Sequence, residues 1–419
     1  MVALFINSVI GAGIFGLPSR VHELLGPYAL LAYVACALLV LLVVLCFAEA
    51  GSRFEQTGGP YLYARVAFGP VVGFQVGWLV WLTRVTAFAA LCNLLIDYLA
   101  HVAPPLGSGA GRVAVATLAT LAIAAVNLRG VRTAAIVANV FTIGKLVPLV
   151  LFVAVGLFFI EPARYVPEHA PTSVDFSTAV LLLVFAFTGF ETATVPAGEV
   201  RDPRRTLPFA ILASMAVIVP LYLLIQFVAI GTLPGLAQSS TPLADAAGGF
   251  AGSVGAGVIV LGALVSISGT LNGLVLSAPR LLYAMAERGQ LPALLARTHP
   301  RFHTPHWAIA LTAGCMLALT LSGSFLTAVA LSTITRLLAY AATCIAVPVL
   351  RRREGGEVGP AAFRVPAAPW VVASALLVIG WLVMHARAGE LRNVVLAMLA
   401  GALLMVVAGR LPRRRRVGA

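Results

Sequence analysis

The chain has 419 residues, of which 60% are hydrophobic and only 10% charged, with a mean hydropathy of +1.00. A soluble domain of this size needs more surface charge than that, so the composition reads as a polytopic membrane protein. The formal charge of +13 does not point to nucleic acid, because the basic residues lie in short segments between apolar runs.

Apolar runs of spanning length fall near 1–19, 28–50, 72–100, 112–128, 135–160, 177–197, 207–231, 253–285, 306–322, 325–350, 369–387 and 391–409. They predict an all-α protein with twelve transmembrane helices. The first run contains INSVIGAGIFGLPS at 6–19, with Gly11, Gly13, Gly16 and Pro18 close together. Each interior Gly costs a helix about 1 kcal/mol relative to Ala, and Pro more. Lipid offers no partner to a freed backbone group, so a break at this depth must face protein or a water-filled cavity. The N–H groups of Ala12, Gly13 and Ile14 then suit an anion at the start of a second half-helix. Small residues here equally suit close packing against another helix, and this stretch alone leaves both readings open. Met1 opens directly into apolar sequence with no positive n-region, so no cleavable signal peptide is expected.

Further along, Glu49 at the inner end of span 2 reads as a packing or gating residue. Trp78 and Trp81 in span 3 read as belt aromatics. Asp97 near the outer end of that span reads as interfacial. Arg84 in span 3 and Arg336 in span 10 either lock helices together or line a pathway, and locking is the favoured reading. Lys145, in the body of span 5, is the chain's one lysine; the other basic residues are arginine. A cation at this depth is a functional candidate by default. Lysine can release a proton when desolvated, whereas arginine cannot, so its use here suggests a group that titrates; a snorkelling or permanently paired lysine is the alternative.

Span 6 reads LLLVFAFTGFETATVPAGE and carries a second break signal at Gly189, followed by Pro196 and Gly198. Glu191, just past the break, either senses protonation or caps the second half-helix. Spans 1 and 6 each open a group of five. Five is odd, so the second group (177–350) runs in the opposite sense to the first (1–160). Interrupted helices at matching places in two inverted halves point to a transport site at the bilayer midplane. Spans 11 and 12 (369–409) and the basic tail (410–419) lie outside that symmetry.

Arginine sets the orientation. If the N-terminus is cytoplasmic, the inside segments hold twenty arginines, Arg413–Arg416 of the tail among them. The outside segments hold five: Arg20, Arg112, Arg164, Arg387 and Arg392. This bias places both termini in the cytoplasm, with the tail run as an anchor at the lipid headgroups and no nucleic-acid partner.

Several functions are disfavoured. Cys36, Cys46, Cys92, Cys315 and Cys344 lie inside apolar runs and read as fillers, not as disulfide partners or metal ligands. No metal-ligand spacing and no phosphate-binding GxxxxGK[ST] loop is present. No nucleophile–base pair suggests an enzyme, and no soluble signalling domain suggests a sensing receptor.

Four stretches resemble the amino acid–polyamine–organocation superfamily: IGAGIF at 10–15, AEAGSRFEQTGGPYLYARVAFGPVVGFQVGWLVW at 48–81, FAFTGFETATVPAGEVRDPRRTLPFAI at 185–211 and LNGLVLSAPRLLYAMAERGQLP at 271–292. The resemblance implies the LeuT-type fold, with five plus five inverted helices, broken helices 1 and 6 and two peripheral helices. It implies transport of amino acids or close relatives across the plasma (cytoplasmic) membrane by proton symport or by exchange. The family's first-span motif stands unusually near residue 1 in this chain. Some proton-coupled members hold a span-5 lysine where sodium-coupled relatives bind an ion. That implies a proton as coupling ion through Lys145, no sodium site and no other cofactor. Its ammonium would lie against span-1 carbonyls and span-8 hydroxyls such as Ser266 and Ser268.

A zwitterionic substrate needs both signs of partner. The N–H groups of Ala12, Gly13 and Ile14 would take its carboxylate, and carbonyls at Ile10, Phe185 and Thr188 its α-ammonium. Spans 3, 6, 8 and 10 would supply the side-chain pocket, with one of Phe185, Phe187 and Phe190 covering the substrate. On this reading Gly13→Val abolishes uptake in a protein that still folds. The leading expectation is an amino acid:proton symporter, and the alternative is an exchanger of amino acids or polyamines.

Overall fold

The first apolar run does not form one helix. In the computed structural model, α1 (Val2–Val9) stops where Ile10 leaves helical geometry (φ −69°, ψ 89°), and α2 (Gly13–Leu25) begins three residues later. Residues 1–410 are described except 12, 56–57, 130–133, 168–169, 195–201, 324 and 356–357. Ala12, Arg132, Pro196, Gly198, Arg201 and Arg413–Arg416 therefore lie outside the described residues.

The remaining helices follow the apolar runs. They are α3 (Ala29–Gly51), α4 (Pro60–Phe68), α5 (Pro70–Val102), α6 (Gly109–Leu128), α7 (Ala134–Gly156) and α8 (Ser173–Phe187). The second half continues with α9 (Phe190–Ala193), α10 (Pro203–Thr232), α11 (Pro242–Glu287), α12 (His306–Ser322), α13 (Phe325–Arg352), α14 (Ala368–Met384) and α15 (Ala388–Arg410). Among the described residues, nine helical stretches are long and apolar enough to cross a membrane, while α12 and α14 are apolar but 17 residues long.

Local chemistry explains many boundaries. Proline occupies the first turn of α4, α5, α10 and α11, where its missing N–H is harmless. Thr172 and Asp175 cap α8 reciprocally: the Asp175 N–H donates to the Thr172 hydroxyl (3.1 Å) and the Thr172 N–H to the Asp175 carboxylate (3.4 Å). The α11 axis breaks at Gly252, whose φ of +62° a side chain would oppose. That break separates a short first piece from the run expected at 253–285.

Burial sorts the helices. The apolar window of α5 is 94% buried, against 17% for α6 and 11% for α15. Leu118 on α6, Leu261 on α11, Leu377 on α14 and Leu403 on α15 are each more than half exposed. Such apolar faces match hydrocarbon, not water. The interior is built where α5 meets α11 and α13, α11 meets α7, and α2 meets α8. On the α5–α13 seam the hydroxyls of Thr83 and Thr335 are 2.9 Å apart, and Ser332 donates to the Thr83 carbonyl (3.2 Å). Short hydroxyl side chains let two membrane helices approach and bond across the seam. That register also sets the neighbours Arg84 and Arg336 on one interior wall.

Candidate functional site

The two helix breaks meet. α8 ends at Phe187, Thr188 is extended, and Gly189 takes φ +121° before α9 restarts. A Cβ on Gly189 would stand 2.1 Å from the Ser8 carbonyl oxygen of α1. A Cβ on Gly13 would stand 2.6 Å from the Ala186 Cα of α8. Real Cβ contacts do not come so close, so both glycines let one broken helix lie directly on the other. The expectation of a folded Gly13→Val protein is corrected here. The added bulk strikes backbone before any substrate is involved.

Side chains from distant helices take up the freed backbone groups. Lys145 of α7 donates to the carbonyls of Asn7 (3.0 Å) and Ile10 (2.8 Å). The Ser266 hydroxyl reaches the same Ile10 oxygen at 3.5 Å. Ser268 lies about 200° further round α11, and no hydrogen bond joins it to Lys145 among the described residues. On the other break, the Gly189 N–H donates to Glu191 (3.0 Å), and the Tyr340 hydroxyl donates to the same carboxylate (2.7 Å). Arg336 lies 3.3 Å from the other Glu191 oxygen and also donates to the Thr188 hydroxyl. Thr188 in turn donates to the Phe185 carbonyl (3.0 Å). Glu191 thus both caps the start of α9 and pairs with a cation.

Between the breaks lies a cavity of about 90 Å³. Asn7, Gly13, Phe185 and Thr188 line it from the broken helices, Arg84 from α5, Thr270 from α11 and Arg336 from α13. Arg84 is 2% exposed. Its Nη1 donates to the Ser277 carbonyl (3.2 Å), while Nη2 has no partner. The wall therefore joins helix-break backbone to two guanidinium groups, an arrangement suited to a small charged or zwitterionic solute.

The family model described as amino acid permease matches residues 1–408. The chain belongs to the amino acid permease family. The permease is 30% identical over 393 residues to the serine/threonine exchanger SteT of Bacillus subtilis (strain 168), covering 90% of this chain and 89% of that protein. It is 30% identical over 392 residues to the methylthioribose transporter of the same organism, covering 88% and 84%. The branched-chain amino acid permease BcaP of Lactococcus lactis subsp. cremoris (strain MG1363) is 27% identical over 397 residues, covering 88% and 84%. These relatives are transporters, not enzymes. The permease is an integral membrane transporter.

Of the residues expected to bind substrate, the permease places Gly13, Phe185 and Thr188 on the cavity wall. Ile10 and Ile14 are fully buried and do not line it, and Ala12 lies outside the described residues. The Ile10 and Phe185 carbonyls, expected to face an ammonium, are already engaged by Lys145 and by Thr188. Phe187 and Phe190 are not at the cavity. Phe187 packs on Tyr222 (5.0 Å between ring centres), and Phe190 stacks on Tyr340 (5.3 Å).

Arg84 and Arg336, favoured from sequence as helix locks, do bond across helices, to Ser277 and to Thr188 and Glu191, and they line the cavity as well. The available signal was that each follows a threonine inside an otherwise apolar run, Thr83 and Thr335. Asp97 borders a second cavity with Arg20 and Arg112. Glu49 is fully buried away from both cavities, where it accepts from Arg53 (2.8 Å), twice from Arg351 (2.7 and 2.6 Å) and from the Val365 N–H (2.8 Å).

Proposed function

We propose that the permease moves amino acids across the cytoplasmic membrane by alternating access, driven by symport with a proton. Two inverted five-helix repeats would form the moving scaffold, α1–α7 and α8–α13, with α14 and α15 peripheral and both termini cytoplasmic. The pairing of two helix breaks supports that reading, as does the arginine asymmetry.

One observation carries the coupling. Lys145 is fully buried, bonds two carbonyls at the α1 break and has no acid partner among the described residues. A protonated Lys145 clamps α7 to the break through charge-assisted hydrogen bonds. A neutral amine donates more weakly and lets the clamp open. Proton occupancy and helix position are thereby linked, and the proton serves as coupling ion without a sodium site. The substrate would take its place in the cavity between the breaks, against the α2 N-terminus and the Phe185–Thr188 segment.

Exchange is the second reading, favoured by the likeness to a serine/threonine exchanger. Purified permease in proteoliposomes tests both. Labelled amino acids are offered with and without an inward proton gradient, and with and without internal unlabelled substrate. Accumulation that needs the gradient supports symport. Uptake that needs internal substrate and ignores the gradient replaces symport by exchange.

A further inference from the structure

The charges around the cavity do not balance. Glu191 is held by Arg336, the Gly189 N–H and the Tyr340 hydroxyl. It reaches Arg84 only through longer-range attraction. Arg84 makes no ion pair among the described residues; it lines the cavity, and its buried Nη2 has no partner. The acid on its own helix, Asp97, is 13 positions away, about 20 Å along the axis, and borders the other cavity with Arg20 and Arg112. Lys145, behind the α1 break, adds a second cation whenever it is protonated. The described wall therefore carries at least one uncompensated positive charge. A guanidinium cannot shed its proton, and an unpaired buried charge is strongly unfavourable. On the same cavity the Asn7 side-chain oxygen is an acceptor without a partner.

We infer that the transported solute carries a net negative charge: an amino acid with a carboxylate side chain. One carboxylate takes Arg84 Nη2, and the ammonium takes the Asn7 oxygen. A neutral zwitterion brings as much positive as negative charge and leaves the wall unbalanced. The inference rests on the reading of this cavity as the amino acid site.

The test is uptake of labelled L-aspartate and L-glutamate against their amides, L-asparagine and L-glutamine, by the full chain in proteoliposomes. The amides match the acids in shape and differ in charge. The acids should enter at least about tenfold faster. Arg84→Gln should lower acid uptake by about a hundredfold and erase the preference, while Arg84→Lys should keep the preference. Wild-type amide uptake equal to or above acid uptake overturns the inference and leaves amino acid transport standing. So does an Arg84→Gln protein that still prefers acids. Failure to move any amino acid in a wider panel overturns the transport reading as well. The wild-type acid-to-amide ratio decides the matter even if the variants misfold.

Discussion

On the proposed symport reading, proton coupling turns on Lys145. Its ammonium donates to the carbonyls of both Asn7 and Ile10 at the α1 break. Lys145→Ala should therefore abolish accumulation under an imposed pH gradient. Lys145→Arg should bind substrate yet fail to accumulate it, since arginine does not release its proton at accessible pH. Wild-type pH dependence in Lys145→Arg would make this cation structural. Gly189 offers a different test. Its φ of +121° and its approach to the Ser8 carbonyl leave no room for a methyl group. Gly189→Ala should cost about 1–3 kcal/mol in strain before any clash is counted. A lower melting temperature in detergent, with transport lost, is the expected result; unchanged melting would mean the two breaks do not touch.

Between helices, the Glu49 cluster ties the end of α3 to the end of α13 and to the segment entering α14. Its bidentate contact with Arg351 is the strong geometry for such a pair. Removing one partner of a buried ion pair typically costs about 3–5 kcal/mol, so Glu49→Ala should melt well below wild type. Arg351→Ala should cost less, because Arg53 stays on the carboxylate. Equal, small losses would show that the cluster does not bind the helices. At its rim, the Arg53 guanidinium holds the Glu354 carboxyl below the usual carboxylate range. A lowered carboxyl pKa stabilises above the ordinary glutamate range and loses that contribution as pH falls through the lowered value. The Arg53–Glu354 contact should accordingly weaken only in acid, as read by the pH dependence of melting in wild type against Glu354→Gln.

Across the whole molecule, the arginine bias makes a topological commitment. In a background without the five native cysteines, single cysteines at Pro171 and Gly355 should react with an impermeant thiol reagent from opposite faces of the membrane. Labelling of both from one face would overturn the orientation and, with it, the inverted repeat. Pro171 precedes the capped start of α8 and Gly355 follows α13, so neither change disturbs a helix interior.

The apolar runs, the break after Val9, the break at 188–189 and the singular Lys145 were all legible in the sequence. In lipid the length of an apolar stretch and a cluster of glycines are local facts with structural force, because no water stands by to satisfy a broken backbone. The partners of those breaks were not legible. Nothing near Gly13 names Ala186, nothing near Glu49 names Arg351 at 302 positions' distance, and α4, nine residues long, was too short to register as a span. Arg84 and Arg336 read as isolated cations until the Thr83–Thr335 contact set them on one wall. Such pairings depend on how helices cross, and a helix presents a given residue to one neighbour or another according to register and crossing angle, which composition does not encode.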